Sequence, residues 1–178
     1  MDMKNIQKIA DEIFQAPTKE DLFQRALASF IKNPDGTYSD STGINVRLTK
    51  MFVKNGKFKV KFKSIDGHFN CSALGLTSLE GAPEFAIAFD CSGNNLTSLK
   101  GGPKRVTQSY YCDHNQLTTL KDAPIRVAFQ FDCSHNNLTS LVGAPKEVGT
   151  FDCSFNSKSF TIEDVLDVTI VGRQYIRT

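Results

Sequence analysis

Residues 89–103 read FDCSGNNLTSLKGGP, and residues 110–124 and 131–145 repeat this phrase as YYCDHNQLTTLKDAP and FDCSHNNLTSLVGAP. An earlier copy, FNCSALGLTSLEGAP, covers residues 69–83, and a truncated FDCSFN follows at residues 151–156. The five cysteines of the chain lie 20, 21, 21 and 20 residues apart, at Cys71, Cys91, Cys112, Cys133 and Cys153. A fixed period of about 20 to 29 residues is typical of solenoid proteins, in which short coils stack and share one hydrophobic core.

Each phrase keeps the same residue types at the same distances from its cysteine. An aromatic residue lies two positions before it, at Phe69, Phe89, Tyr110, Phe131 and Phe151. Asparagine lies three positions after it in four phrases, at Asn94, Asn115, Asn136 and Asn156. The alternation predicts a short strand that turns its ring and thiol inward, and the asparagines suit a buried ladder that bonds the backbone at each bend. We therefore expect a parallel sheet on the concave side, reduced buried thiols and short return segments.

The phrases match the leucine-rich-repeat pattern L-x-x-L-x-L-x-x-N-x-L, with an aromatic residue and a cysteine in place of two leucines. They resemble the short leucine-rich repeats of bacterial effectors and, more closely, the repeat proteins encoded by large tailed bacteriophages. The resemblance covers roughly residues 44–176 and implies an α/β-type solenoid that binds a partner. Effectors that join such repeats to a ubiquitin-ligase domain carry a large segment after the repeats. Only 22 residues follow Asn156, so that activity is not expected.

The front of the chain has helical rather than repeat character. Apolar residues at helical spacing over 4–16 and 19–32, separated by Pro17, predict a helical hairpin that makes up residues 1–32. Residues 33–43 read as a polar connector. The hairpin is interpreted as a cap on the first coil, and the alternative is a free element for partner binding or self-association.

The solenoid itself is predicted over residues 44–158, with a degenerate first coil before the Phe69 strand. Residues 159–178 are predicted to form a C-terminal cap of one short helix and one strand. Thr161 and Asp164 are typical of a capping box at the start of that helix.

The concave face carries the candidate binding residues, because there the side chains of successive coils align in columns. The position between ring and cysteine carries Asn70, Asp90, Tyr111, Asp132 and Asp152. Beyond the cysteine lie Asp113 and then, one residue further along each coil, His114, His135 and Phe155. We interpret these residues as a surface for a basic or polar protein segment, with Tyr111 and Phe155 as apolar anchors. The alternative is a face that is polar only for solubility. His114 and His135 are expected to stack one coil apart and are interpreted as solvated, with a pH-sensitive or metal-binding pair beside Asp113 as the alternative.

A basic stretch precedes the repeats, since residues 41–65 contain seven lysines and arginines and no acidic residue. The candidate basic patch consists of Arg47, Lys57, Lys59, Lys61 and Lys63. Strict alternation over 57–63 predicts one extended strand with its lysines on one side, typical of an edge strand protected from aggregation. Contact with a nucleic-acid backbone is the alternative. It is disfavoured because the aromatic residues face away from the lysines and cannot stack bases beside the charges.

Enzymatic chemistry is not expected. No Ser-His-acid triad or phosphate-binding glycine loop is visible in the sequence. Zinc sites use cysteines a few residues apart, whereas these occur once per coil, so we expect no metal and no cofactor. No apolar run approaches about 18 residues and the N-terminus lacks the features of a signal peptide, which predicts a cytoplasmic protein without a membrane segment.

These features favour a noncatalytic module that binds a protein on its concave face. If the bacteriophage resemblance holds, the partner is expected to be a host factor met in the host cytoplasm. The first alternative is a structural or assembly component that forms a homo-oligomer through its N-terminal helices. Nucleic-acid binding through the lysine-rich segment 47–63 is the third hypothesis.

Overall fold

The computed structural model describes residues 16–178, apart from the side chains at positions 173 and 174. The chain divides into two compact units, Met1–Phe30 and Ile31–Thr178. The predicted helix over 4–16 lies almost wholly outside the described residues.

The described part of the first unit is one helix, α1 (Lys19–Leu27), which buries Phe23 and Leu27. It begins at Thr18, whose hydroxyl accepts a hydrogen bond from the Asp21 backbone N–H at 3.1 Å. The Asp21 carboxylate accepts in return from the Thr18 N–H at 2.9 Å, which completes a capping box. The helix ends several residues earlier than the predicted 19–32, and the chain enters a strand at Ile31.

The second unit is a mostly-β solenoid of about seven turns. Its described strands are β1 (Ile31–Lys32), β2 (Tyr38–Asp40), β3 (Val46–Arg47), β4 (Val53–Lys54), β5 (Lys57–Phe58), β6 (Phe62–Asn70), β7 (Phe85–Asp90), β8 (Arg105–Val106), β9 (Tyr110–Tyr111), β10 (Arg126–Asp132), β11 (Glu147–Asp152) and β12 (Ile170–Arg177). Ten of these described strands form one sheet in the order β1-β2-β6-β7-β9-β10-β11-β12, with β3 beside β6 and β8 beside β7. All pairs in this sheet except β1–β2 are parallel, as the repeat predicts.

The strands pair so that equivalent residues of successive coils lie side by side. Phe131 pairs with Tyr110 on one side and with Phe151 on the other. The register shifts between Val127 and Gln130, so each long strand consists of two halves joined by a bulge. Inward residues of both halves are buried, including the predicted core residues that follow each proline, Ala86, Val106, Val127 and Val148.

An aromatic column fills the centre of the solenoid. The five rings two positions before the cysteines are fully buried. Neighbouring ring centroids in this column lie 5.2 to 5.9 Å apart. The five cysteines beside them are buried free thiols. Burial raises the pKa of the Cys112 thiol well above its ordinary value, and its Sγ donates to the Asp132 carbonyl at 3.2 Å.

The predicted asparagine ladder is confirmed. Asn136 Nδ2 donates to the carbonyl oxygens of Cys112, Cys133 and Ser134 at 3.0 to 3.2 Å. Its Oδ1 accepts from the Leu117 N–H at 2.9 Å. Each buried amide therefore bonds backbone groups of its own coil and of the preceding one, and satisfies polar groups that the bend would otherwise leave unpaired.

The return segments contain turns instead of helices. Gly101 and Gly143 have φ values of 86° and 94°. A Cβ on Gly143 would lie 2.6 Å from the Lys121 backbone nitrogen, so the coils approach too closely there for a side chain. The prolines that follow also disfavour a helix. The structure does not confirm the α/β type, because the described helices are short and few.

Both ends of the second unit add strands to the sheet. β2 pairs with β6, so the predicted polar connector over 33–43 contributes a strand. The degenerate first coil is confirmed by the pairing of Val46 with Phe69. At the other end, α2 (Ile162–Leu166) begins at the predicted capping box of Thr161 and Asp164, and β12 then pairs with β11.

None of the described helices has the length and apolar character that crossing a bilayer requires.

Candidate functional site

The predicted residues between ring and cysteine form one continuous column across the sheet, which we call the concave column. Strand register places its members side by side in the order Arg47, Asn70, Asp90, Tyr111, Asp132, Asp152 and Arg177. Arg177 is not among the predicted site residues, and Arg47 belongs to the predicted basic patch. Register brings these two arginines to the ends of a column whose middle is acidic.

The carboxylates of the concave column also stabilise the bend that follows each strand. Asp132 Oδ1 accepts from the Ser134 N–H at 3.0 Å and from the Ser134 hydroxyl at 2.7 Å. The same two bonds join Asp90, Asp152 and Asn70 to the serine two residues later. The spacing Asp-x-Ser or Asn-x-Ser in four phrases is the sequence signal for this structural role.

The second carboxylate oxygens are less completely paired. Asp90 Oδ2 accepts from Asn70 Nδ2 at 2.8 Å, and Asp132 Oδ2 accepts from Gln130 Nε2 at 3.3 Å. Among the described side chains, no lysine or arginine forms an ion pair with Asp90 or Asp132. Burial raises the pKa of Asp132, and the negative charges of Asp113 and Asp152 add to this effect although hydrogen bonds from Ser134 oppose it. A nearby cation would therefore lower the electrostatic energy of the column.

A second column, which we call the ring column, stands at the outer edge of the same bends. The rings of His114 and His135 stack with centroids 4.1 Å apart, and those of His135 and Phe155 stack 4.4 Å apart. All three residues adopt positive φ values of 51° to 55°, so each side chain projects from the coil in the same direction. The rings are exposed, with Phe155 64% accessible.

Charged groups lie at both ends of the ring column. The Arg177 guanidinium carbon is 5.8 Å from the Phe155 ring centroid, and one of its nitrogens is 3.7 Å from Asp152 Oδ2. At the other end, His114 Nδ1 lies 2.9 Å from Asp113 Oδ2. The ring column and the concave column are thus close enough for one arginine side chain to contact both.

The structure does not arrange His114, His135 and Asp113 as a metal centre. Among the described residues, no group of three or more His, Cys, Asp or Glu side chains is placed to hold a metal ion.

The prediction of one extended strand over residues 57–63 is wrong, because its lysines are divided between two elements. Asn55 and Gly56, with φ values of 52° and 72°, close the β4–β5 hairpin, and the chain must bend again at residues 59–60 before it enters β6. The lysines remain exposed and Phe62 is buried, so the alternation of burial is correct.

The basic patch does not form one surface with Arg47 at its end. Lys57, Lys59 and Lys61 line a cleft of about 470 Å³ together with Lys32, Tyr38 and Glu80. Lys63 instead pairs with Asp35 at 3.2 Å. Hydrogen bonds from Thr37, and then from Lys63, lower the pKa of Asp35 to about 2.

Comparison with protein-family models, with curated proteins and with solved structures finds no match to this chain.

Proposed function

We propose that this chain is a noncatalytic protein-interaction module of the leucine-rich-repeat kind, which receives a cationic segment of a partner protein on its concave column and ring column. The supporting observation is the pair of carboxylates at Asp90 and Asp132, which lack a cationic partner among the described side chains and belong to a column that Arg177 joins to the exposed ring column. Electrostatic complementarity next to apolar anchors favours specific protein recognition. If the chain is phage-encoded, the proposed partner is a host factor in the host cytoplasm.

The test replaces Asp90, Asp132 and Asp152 together by Asn. Asn70 already makes the same two bonds to its serine as the aspartates do, so asparagine removes the charges and keeps the bends. A partner is captured from cells that make the protein, identified and purified, and its affinity is measured by calorimetry. We expect the triple variant to bind at least about tenfold more weakly, since charge pairs at interfaces contribute on the order of 1–2 kcal/mol or more.

A matched control removes three exposed carboxylates outside both columns, by Asp66→Asn, Glu80→Gln and Glu163→Gln. This variant has the same net charge as the triple column variant, and we expect it to bind like the wild type. Equal affinity of the column variant and the wild type would refute the proposed surface.

Self-association is the second candidate function, and the C-terminal end of the solenoid favours it. β12 ends the described sheet, and Ile162, Leu166 and Ile170 around an adjacent cleft of about 580 Å³ are more than half exposed. An open strand edge beside apolar side chains is a typical pairing surface. Light scattering would then show a dimer for the wild type and a monomer for Ile170→Asp, with Ile125→Asp as the exposed control. A monomeric wild type at high concentration would exclude this candidate.

A further inference from the structure

The ring column has one open end, at Gly93. Gly93 takes the same left-handed bend position as His114 in the next coil, with φ of 62°. A Cβ built there would have Ala73 atoms as its nearest neighbours, at 3.8 to 3.9 Å, so the position has room for a side chain. The following coils each stack a ring on the ring before them. At Gly93 there is no side chain to stack on His114, and the coil spacing leaves a slot that fits one planar group.

The chain itself shows which planar group suits such a position. At the opposite end of the ring column, Arg177 lies over the outer face of Phe155 and directs a nitrogen toward Asp152, three residues before that ring. In the slot the carboxylate is Asp90, three residues before Gly93 in the same coil, whereas the coil of His114 has Tyr111 at the position that corresponds to Asp152. The slot therefore has both features that Arg177 uses, which are a ring face and a carboxylate of the concave column.

The negative charge around the slot decides which kind of planar group would bind there. Asp90 lies in the same coil as Gly93, and Asp113 is bonded to His114. This negative field favours a cation and opposes a nucleobase, because a base brings its phosphate with it. A lysine ammonium can satisfy the carboxylates but is not planar, whereas a guanidinium stacks on rings and offers several N–H donors in one plane.

We propose that the slot formed by Gly93, His114, Asp90 and Asp113 binds an arginine side chain of the partner protein. This inference rests on the proposed function, since it names the chemistry that the interaction surface selects. The guanidinium stacks on the free face of His114 and donates hydrogen bonds to the neighbouring carboxylates, so that the ring column has an arginine at both ends.

The experiment is a titration of the full-length protein with N-acetyl-arginine amide, followed by ¹H–¹⁵N NMR. We expect saturable shifts centred on the backbone amides of Gly93, Asp113 and His114. N-acetyl-lysine amide is expected to bind about two- to fivefold more weakly at the same amides, the ratio that an exposed cation–π contact supplies.

Two variants assign the binding to the slot. Gly93→Asn fills it with a residue that tolerates the left-handed conformation, and His114→Asn removes the ring. Both are expected to abolish the arginine-specific shifts. Gly75→Asn is the matched control, because Gly75 also has a positive φ of 76° and no atom lies within 4 Å of its Cβ position. It is expected to keep arginine binding, and a wild-type-like spectrum shows that each variant is folded.

The absence of shifts at Gly93, equal affinity for the two probes, or arginine binding that survives Gly93→Asn would each overturn the inference.

Failure of the arginine slot can be distinguished from failure of the proposed function. If the arginine probe does not bind but the triple column variant still loses its partner, the surface stands and the arginine slot does not. If the probe binds and the triple variant keeps its partner, the slot exists but the concave column is not the partner surface.

Discussion

Tyr110 and Gly102 compensate for each other inside the solenoid. Tyr110 takes the place that Phe occupies in the other four phrases, and Gly102 takes the place of the alanine in Gly-Ala-Pro. A Cβ on Gly102 would lie 3.1 Å from the Tyr110 hydroxyl oxygen, 3.0 Å from Leu79 Cδ1 and 3.1 Å from the Leu99 carbonyl oxygen, so the hydroxyl is one of three groups that crowd this position. That hydroxyl is buried, lies near the Cys91 thiol and has no well-formed hydrogen bond to a described residue. Burial, and then the neighbouring thiols of Cys91 and Cys112, raise the pKa of Tyr110.

The double variant Tyr110→Phe/Gly102→Ala should therefore be more stable than Gly102→Ala alone, by about 1–2 kcal/mol. It removes the hydroxyl that the new methyl group would meet, while the contacts with Leu79 and Leu99 are the same in both variants. Gly102→Ala alone should destabilise, because its methyl group meets the hydroxyl, and Tyr110→Phe alone should be close to neutral because it leaves a gap. Urea unfolding of the four proteins measures the coupling, and strictly additive effects would contradict this account.

Asp132 should destabilise the folded protein at neutral pH. Its pKa is higher in the folded than in the unfolded chain, mainly because of burial, so the cost of its charge is complete above the folded-state pKa and disappears as pH falls through it. Asp132→Asn should raise the free energy of unfolding at pH 7 by up to about 1 kcal/mol, the scale of partly exposed charge interactions. This gain should shrink in acid. Denaturant unfolding as a function of pH measures it, with the exposed Asp66→Asn as control, and a gain that grows in acid would contradict the sign.

The coil is held at its bend by one buried amide. Asn136 forms four hydrogen bonds to backbone groups of two coils, whereas the next residue, Asn137, has the same side chain and is exposed. These neighbours separate the effect of the ladder from that of residue type. The bend and its contact with the preceding coil therefore depend on Asn136.

Asn136→Ala should lower the free energy of unfolding by roughly 2–4 kcal/mol, because several buried backbone groups lose their partners. Asn137→Ala should change it by less than about 0.5 kcal/mol, as is usual for an exposed side chain. Chemical denaturation followed by circular dichroism provides the comparison. Similar losses in the two variants would show that the ladder does not carry the stability of the bend.

The whole solenoid should open from its ends, since each coil packs mainly on its two neighbours. Cys153 lies in the last cysteine-containing coil, and its thiol donates to the carbonyl of Arg177 in the last described strand at 3.5 Å. Burial, and then the charge of Asp152, raise the pKa of Cys153 to about 12. Cys112 lies in the middle of the stack, and its pKa is raised well above the ordinary value.

Thiol labelling with maleimide, read by mass spectrometry of peptides, should therefore modify Cys153 first and Cys112 among the last under native conditions. Denaturation without reductant should expose five reactive thiols at once, since all five are free in the structure. Fewer than five would indicate disulfides, and early labelling of Cys112 would contradict opening from the ends.

Several features of the fold follow from local pattern. Rings, thiols and leucines recur at fixed distances, so the inward side of each coil can be recognised in a single phrase. The asparagine ladder is equally local, because its bonds lie within one bend and the adjacent one. The same reasoning is wrong about one extended strand over residues 57–63, since a bend at residues 59–60 interrupts an alternation that looks continuous.

The sequence by itself determined the repeat, the core and the members of the acidic face, because a coil that recurs every 20 or 21 residues places the same side chain at the same point each time. Only the tertiary structure decided that Arg47 and Arg177 end the concave column, that Phe155 extends the stack of His114 and His135, and that Gly93 leaves a slot. The physical reason is that strand register and the left-handed bend, rather than spacing along the chain, decide which side chains from distant coils meet.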